Sequence, residues 1–170
     1  TGHGVALDID RFISELNDVK KAGLNPNLLV SERCQILMPY HVKLDEYEEE
    51  RLGKAAFGST KSGIAPFFSD KYAKIGIQVN ELFEDEALKA KLKNICTLKN
   101  LILKYVYNKP LLDADELFEK CMEYKEKIAP FVCDTHTYIQ NAIKDGKEIL
   151  LEGQLGTLKD PDFGIYPFTT

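Results

Sequence analysis

At 170 residues and 44% hydrophobic content, the chain is long enough to bury one apolar core. Its net charge of −5 argues against the basic face that a general nucleic-acid binder carries. No apolar run approaches the ~20 residues of a membrane span, and the N-terminus lacks a basic-then-apolar leader pattern. A soluble, cytoplasmic chain with neither a nucleic-acid nor a membrane partner is therefore expected. Cys34, Cys96, Cys121 and Cys133 form no CxxC pair and no Cys/His ligand spacing, so four free thiols are expected. The chain opens Thr1-Gly2-His3-Gly4 and stops at Thr169-Thr170. Neither end reads as a natural terminus, and a fragment of a longer protein is expected.

In chain order, Val5, Ala6 and Leu7 predict a short buried strand. Ile9, Phe12, Ile13, Leu16 and Val19 then recur at helical spacing, with Gly23 as the stop. Asn25-Pro26-Asn27 is a turn, and Leu28-Leu29-Val30 predicts a second strand. Strand, helix and strand in this order begin a parallel α/β unit.

A helix is expected from Ile36 to about residue 56. It carries Asp45-Glu46-Tyr47-Glu48-Glu49-Glu50, and consecutive carboxylates point around a helix rather than at one ion, so a solvated face is expected there. Residues 58–66 break all periodicity and predict a loop, followed by a short helix from Ser69 to Lys74. Leu88, Leu92, Ile95, Leu98, Leu101, Ile102 and Tyr105 stripe a long helix that Pro110 ends. Asp113 and Glu116 stand at capping-box spacing before the next. A further helix is expected to carry Val132, Tyr138, Ile139, Ala142 and Ile143 and to close at Asp145-Gly146. Glu148-Ile149-Leu150-Leu151 predicts a third strand running into Gly153-Gln154-Leu155-Gly156. The expected fold is α/β and helix-rich. Three short strands, near 4–7, 28–31 and 148–152, belong to an incomplete parallel sheet, and a helical subdomain occupies 80–146.

Two loops could carry chemistry. In 58–66, small residues let a ligand approach the backbone, Ser59, Thr60 and Ser62 bring hydroxyls, and Lys61, Lys71 and Lys74 bring positive charge. The helix start beyond adds unpaired N–H groups, and the whole suits a phosphate. The string GxxxxGK[ST] of a P-loop is absent. The second loop is the tail from Glu152 to Pro167, where a strand would meet a Gly-x-x-Gly turn; ligand groups gather beyond strand ends in α/β proteins, although the spacing alone is that of a tight turn. His3, His41 and His136 make no HxxxH or HExxH string, and no GxSxG elbow occurs. Chemistry complete within these residues is not expected.

The ordered set of motifs resembles the adenylosuccinate synthetases along essentially all 170 residues. The resemblance runs through Gly2-His3-Gly4-Val5, Leu29-Val30-Ser31-Glu32-Arg33, Leu37-Met38-Pro39-Tyr40-His41 and Leu44-Asp45. It continues through Gly58-Ser59-Thr60, Gly63-Ile64-Ala65-Pro66, Asp70-Lys71, Gly76-Ile77-Gln78-Val79 and Glu152 to Pro167. It implies a central fragment, less than half of a GTP-dependent ligase of purine synthesis. That ligase phosphorylates the 6-oxygen of IMP and lets L-aspartate displace the phosphate, with Mg2+ assisting. The main acid and base would lie upstream of this segment, and the GTP-base and aspartate contacts mostly downstream. No GTP or Mg2+ is expected to bind the fragment itself, which is expected to be inactive alone.

Within the segment the resemblance implies IMP contacts at Ser59 and Thr60. Lys74, where the family has Arg, would reach the IMP of a partner subunit in a homodimer. Leu155 stands at a family Gln, with neighbouring Gln154 as its substitute, and Thr170 would be another IMP contact, with Thr60 a ligand of the phosphate. Lys71 would serve phosphate binding or active-site electrostatics, the one catalytic candidate in the chain. Ser62, Ala65 and Ile165 stand where Arg, Gly and Thr are usual, and His3 occupies an Asn position, which suggests a divergent branch. The alternative reading is a non-catalytic module descended from the enzyme that binds nucleotide or protein.

Overall fold

The computed structural model describes residues 1–153 and 156–169. Four two-residue strands and six α-helices carry the fold: β1 Ala6–Leu7, α1 Ile9–Lys21, β2 Val30–Ser31, β3 Gln35–Ile36, α2 Pro39–Leu52, α3 Ile64–Tyr72, α4 Asp85–Ile102, α5 Ala114–Ile128, β4 Val132–Cys133 and α6 Thr135–Lys144. The helix-rich α/β class is as expected, and β1 and β2 fall within the first two strand positions read from the sequence. Both strand pairs are parallel. β1 aligns with β3, Leu7 opposite Ile36, and β2 aligns with β4, Val30 opposite Val132.

The expected strand at 148–152 is not formed: these residues pair with no described segment, and Leu150 is 95% exposed. An apolar run makes a strand only where a neighbour takes its N–H and C=O groups, and residues 148–152 instead lie exposed. Ile36, expected to open a helix, pairs with β1 instead as part of β3, and Pro39 at the first helical position sets the later start of α2. Val132 likewise leaves the expected helix for β4, because Asp134 caps α6 by accepting from the Thr137 N–H at 3.1 Å.

The α1 and α4 stripes are buried only in part: Ile9 and Leu16 are buried while Val19 is exposed, and in α4 Leu98 and Leu101, with Tyr105 beyond its end, are exposed. Asp8 caps α1 through the Arg11 N–H at 3.0 Å, and Leu88, Leu92 and Ile95 of α4 are buried in one core with Ile36, Met38, Val79, Tyr124 and Ile128. Helix α4 ends in a π-helical turn, Leu103–Tyr107, closed by Asn108 in the left-handed region. Cys34, Cys96 and Cys121 are buried free thiols, and Cys133 is a half-buried one. Burial pushes the Cys34 thiol up to about 11 and the Cys121 thiol up to about 12. No helix among the described residues is long and apolar enough to cross a membrane.

A buried polar network fastens α2, α3 and α4 together. The Met38 N–H donates to His41 Nδ1 at 3.0 Å, which leaves the imidazole proton on Nε2 to be donated to Asp70 Oδ2 at 3.0 Å. On its other oxygen Asp70 is paired with the Lys99 ammonium. All three side chains are almost completely buried. Burial alone would push Asp70 up, but the hydrogen bonds from His41 and Lys99 and the Lys99 charge together hold its carboxyl below the ordinary range. Burial pushes His41 down, outweighing its bond to Asp70, so it is neutral.

Three outcomes follow from these contacts. Asp113 accepts from the Asp115 and Glu116 N–H groups at 2.8 and 3.0 Å, so Asp113→Ala should lower the unfolding free energy by about 1 kcal/mol in urea titration. Lys99→Met strips one partner from a buried carboxylate and should cost about 3 kcal/mol in the same measurement. For His41 the folded pKa lies below its ordinary 6.5, so the unfolded chain binds the extra proton first and stability should fall as pH drops below that value. The lowered Asp70 adds a second loss below its ordinary 3.8. A urea midpoint that is lower at pH 5.5 than at pH 7.5 is the expected sign.

Candidate functional site

The loop between α2 and α3 is held by two carboxylates one helical turn apart. Asp45 and Glu49 share one face of α2. Glu49 Oε1 accepts from the Phe57 N–H at 3.1 Å, and Oε2 accepts from Gly58 and Ser59 at 3.0 and 3.1 Å. Asp45 Oδ1 accepts from the Ser59 hydroxyl at 2.7 Å, and Oδ2 from the Gly63 N–H at 2.9 Å. The Lys61 N–H in turn donates to Ser59 Oγ at 3.0 Å. Asp45 is only 6% exposed, so the acidic run of α2 is not wholly the solvated face expected of it: Glu46 and Glu50 are exposed, while Asp45 and Glu49 turn inward to the loop. The legible signal was their i, i+4 spacing just before a Gly/Ser-rich loop.

Gly63 opens α3 at φ +79, and a Cβ there would lie 2.7 Å from Val42 N and 2.8 Å from the His41 carbonyl carbon. Only glycine fits both the conformation and the space. Its N–H is already taken by Asp45, so at the start of α3 the Gly63 N–H is not one of the unpaired groups expected to face an anion; in the loop before it the N–H groups of Phe57, Gly58, Ser59 and Lys61 are likewise bonded within the chain. What the loop turns outward are hydroxyls: Thr60 Oγ1 and Ser62 Oγ lie 2.7 Å apart. Lys61 sits between them in the left-handed region at φ 54, an uncommon conformation for a residue with a Cβ.

A cleft of about 640 Å³ lies over this loop. Asp45, Glu48 and Glu49 of α2, Phe57 to Thr60 and Ser62 of the loop, Ser69 of α3, Lys99 of α4 and Tyr107 line it, together with Lys159, Pro167, Phe168 and Thr169. The Thr60 loop and the carboxyl-terminal stretch therefore share one cavity. The Phe57 and Phe168 rings meet edge to face at 6.5 Å, and Lys159 Nζ donates to the Phe168 carbonyl at 3.2 Å. On the α2 wall Tyr107 donates to Glu48 at 3.0 Å. Burial and this carboxylate push the phenol up to about 12, while Arg51 holds Glu48 below the carboxylate range.

Of the residues singled out in the sequence, Ser59 and Thr60 line the cleft. Lys71 does not; its ammonium lies 5.8 Å from the Phe68 ring centroid. Lys74 also lies outside it, exposed beyond the C-terminus of α3 with a left-handed backbone at φ 64. Gln154, Leu155 and Thr170 lie outside the described residues. Sequence reasoning missed Lys99, Asp45 and Glu49. Among the described residues no three His, Cys, Asp or Glu side chains converge as a metal site.

The family model of adenylosuccinate synthetase matches residues 1–170. Curated relatives named adenylosuccinate synthetase include one from Dehalococcoides mccartyi (strain ATCC BAA-2100 / JCM 16839 / KCTC 5957 / BAV1), 41% identical over 170 residues. Another, from Brachyspira hyodysenteriae (strain ATCC 49526 / WA1), is 43% identical over 170 residues. Each alignment takes in 99% of this chain and 40% of the relative, so the chain spans about 40% of the length of the curated relatives it matches. A solved structure described as fully ligated adenylosuccinate synthetase from Plasmodium falciparum superposes with a TM-score of 0.81 at 26% identity, covering 99% of this chain and 39% of that one. The chain, along its whole length, belongs to the adenylosuccinate synthetase family.

Proposed function

We propose that this chain works within a longer, cytoplasmic polypeptide as the IMP-holding part of a GTP-dependent ligase that makes adenylosuccinate from IMP and L-aspartate. The observation that carries the reading is the single cleft lined both by the Thr60 loop and by the stretch from Lys159 to Thr169, in a chain whose family match runs end to end. An amide-like oxygen is a poor leaving group until it is phosphorylated, after which an amine can displace it; charge-stabilising groups aimed at the phosphoryl oxygens speed both steps.

The part of this chain in that chemistry is to hold the nucleotide. Thr60 and Ser62 would donate hydroxyl hydrogen bonds to its 5′ phosphate, with Thr170 as a further donor and Gln154 or Leu155 beside the base. The cleft walls carry Asp45, Glu48 and Glu49 against Lys99 and Lys159, and Lys99 is already neutralised by Asp70. One copy therefore supplies little net positive charge for an anion. This favours a homodimer in which Lys74, exposed and away from its own cleft, approaches the nucleotide of the partner, with Lys71 adding longer-range charge. The sequence holds no P-loop string and the described residues no cluster of metal donors; the sites for GTP and Mg2+ belong to the rest of the polypeptide.

In the full-length enzyme, Thr60→Ala should weaken IMP binding about tenfold, the loss of one charged hydrogen bond, and Lys74→Ala should weaken it similarly. Both are read by calorimetry with IMP alone, and unchanged affinity removes the residue from the site. The isolated 170-residue chain should form no adenylosuccinate from GTP, IMP and aspartate. Detectable turnover would overturn the assignment of the acid and base to other segments.

A further inference from the structure

The family reading leaves a physical question at the Thr60 loop. A phosphate-holding loop ordinarily spends its N–H groups on the ligand, yet here those of Phe57, Gly58, Ser59, Lys61 and Gly63 all go to oxygens of this chain, four of the five to Asp45 and Glu49. Two negative side chains line the same cleft as Thr60 and Ser62. By Coulomb's law alone each of them should weaken anion binding. An anion site with these two carboxylates in its wall needs an opposing benefit from them, and the geometry supplies one. The two carboxylates bind either end of the loop, Glu49 the Phe57–Ser59 end and Asp45 the Ser59 hydroxyl and Gly63; the chain between turns at Lys61 in its left-handed conformation, and Thr60 and Ser62 are presented together at 2.7 Å.

We infer that Asp45 and Glu49 are positioning residues for the nucleotide site: they take up the loop's N–H groups so that the hydroxyls of Thr60 and Ser62 face the ligand's 5′ phosphate. This rests on the reading of the cleft as the nucleotide site. Holding a donor pair in place before the ligand arrives removes the ordering cost from binding, and that gain exceeds the electrostatic loss.

The sign of a charge-removing substitution separates the two effects. Glu49→Gln keeps the size of a half-buried side chain but offers one oxygen and an NH2 group where three N–H donors converge, so the loop loosens while a negative charge disappears. If Glu49 positions the loop, affinity for IMP in the full-length enzyme should fall about tenfold with the KM for GTP within twofold. If it acts only as a nearby charge, affinity should rise, and that result overturns the inference. Glu46→Gln, on the same acidic run but exposed and outside the cleft, is the charge control and should leave IMP affinity unchanged or slightly higher. Asp45→Asn tests the second anchor and should lower affinity in the same way. Should that variant fail to fold, Glu49→Gln still decides the matter.

Amide hydrogen exchange in the same variants supplies the second readout. Gly58 and Ser59 should exchange faster in Glu49→Gln. Faster exchange with unchanged IMP affinity would make the contact merely structural and overturn the inference. Thr60→Ala is run in parallel. If it too leaves IMP affinity unchanged, the nucleotide-site reading itself fails; if it weakens binding while Glu49→Gln does not, only the positioning role fails.

Discussion

The constraint on which the rest depends is that a carboxylate buried to 2% exposure, Asp70, must be matched on both oxygens. An isolated charge there would cost several kcal/mol of desolvation, and three helices are arranged to prevent it. The first turn of α2 sends His41, α4 sends Lys99 from near its end, and α3 carries Asp70 itself to the meeting point. Because His41 is also the acceptor for the Met38 N–H, the start of α2, the body of α3 and the end of α4 are fixed by one hydrogen-bonded chain. The cleft is bounded by these same helices. Its outline therefore depends on a polar network in the core as well as on apolar packing, and Lys99 belongs to both.

What could be read in the sequence follows from period. The stripes at Ile9–Val19 and Leu88–Leu101, and the cap at Asp113, reported α1, α4 and α5 because many residues in each repeat the same angular message. The strands were less legible for the opposite reason: each is two residues long, too short to show alternation, and β3 and β4 were absorbed into neighbouring helices. Ile149-Leu150-Leu151 erred in the other direction, since hydrophobicity marks a segment able to be a strand but not the presence of a neighbour to pair with.

At the cleft, the hydroxyl residues of the loop were visible from composition, and Ser59 and Thr60, singled out by the resemblance, are among the residues that line it. The supporting carboxylates left one mark, their i, i+4 spacing ahead of a Gly/Ser-rich loop, inside a run that hides it. A run of six residues with five acids looks like a solvated face, and only the fold reveals that Asp45 and Glu49 look one way while Glu46 and Glu50 look the other. Lys99 was hidden similarly, as one of several lysines on a helix whose apolar stripe drew attention to the other residues. Buried charges of this kind carry no sequence signature, because the partner that permits burial lies 29 positions away along the chain.

The thiols have a consequence for the chemistry of the surroundings. With its pKa pushed to about 11, Cys34 is ionised at neutral pH only about once in ten thousand molecules, and Cys121 less often still. Its hydrogen is engaged by the Val5 carbonyl at 3.1 Å. Nucleophilic attack by sulfur needs the anion, so these two cysteines behave as small apolar packing atoms, slow towards alkylating reagents and towards exchange with glutathione. Oxidants that inactivate enzymes by capturing exposed thiolates would find no ready target at either position.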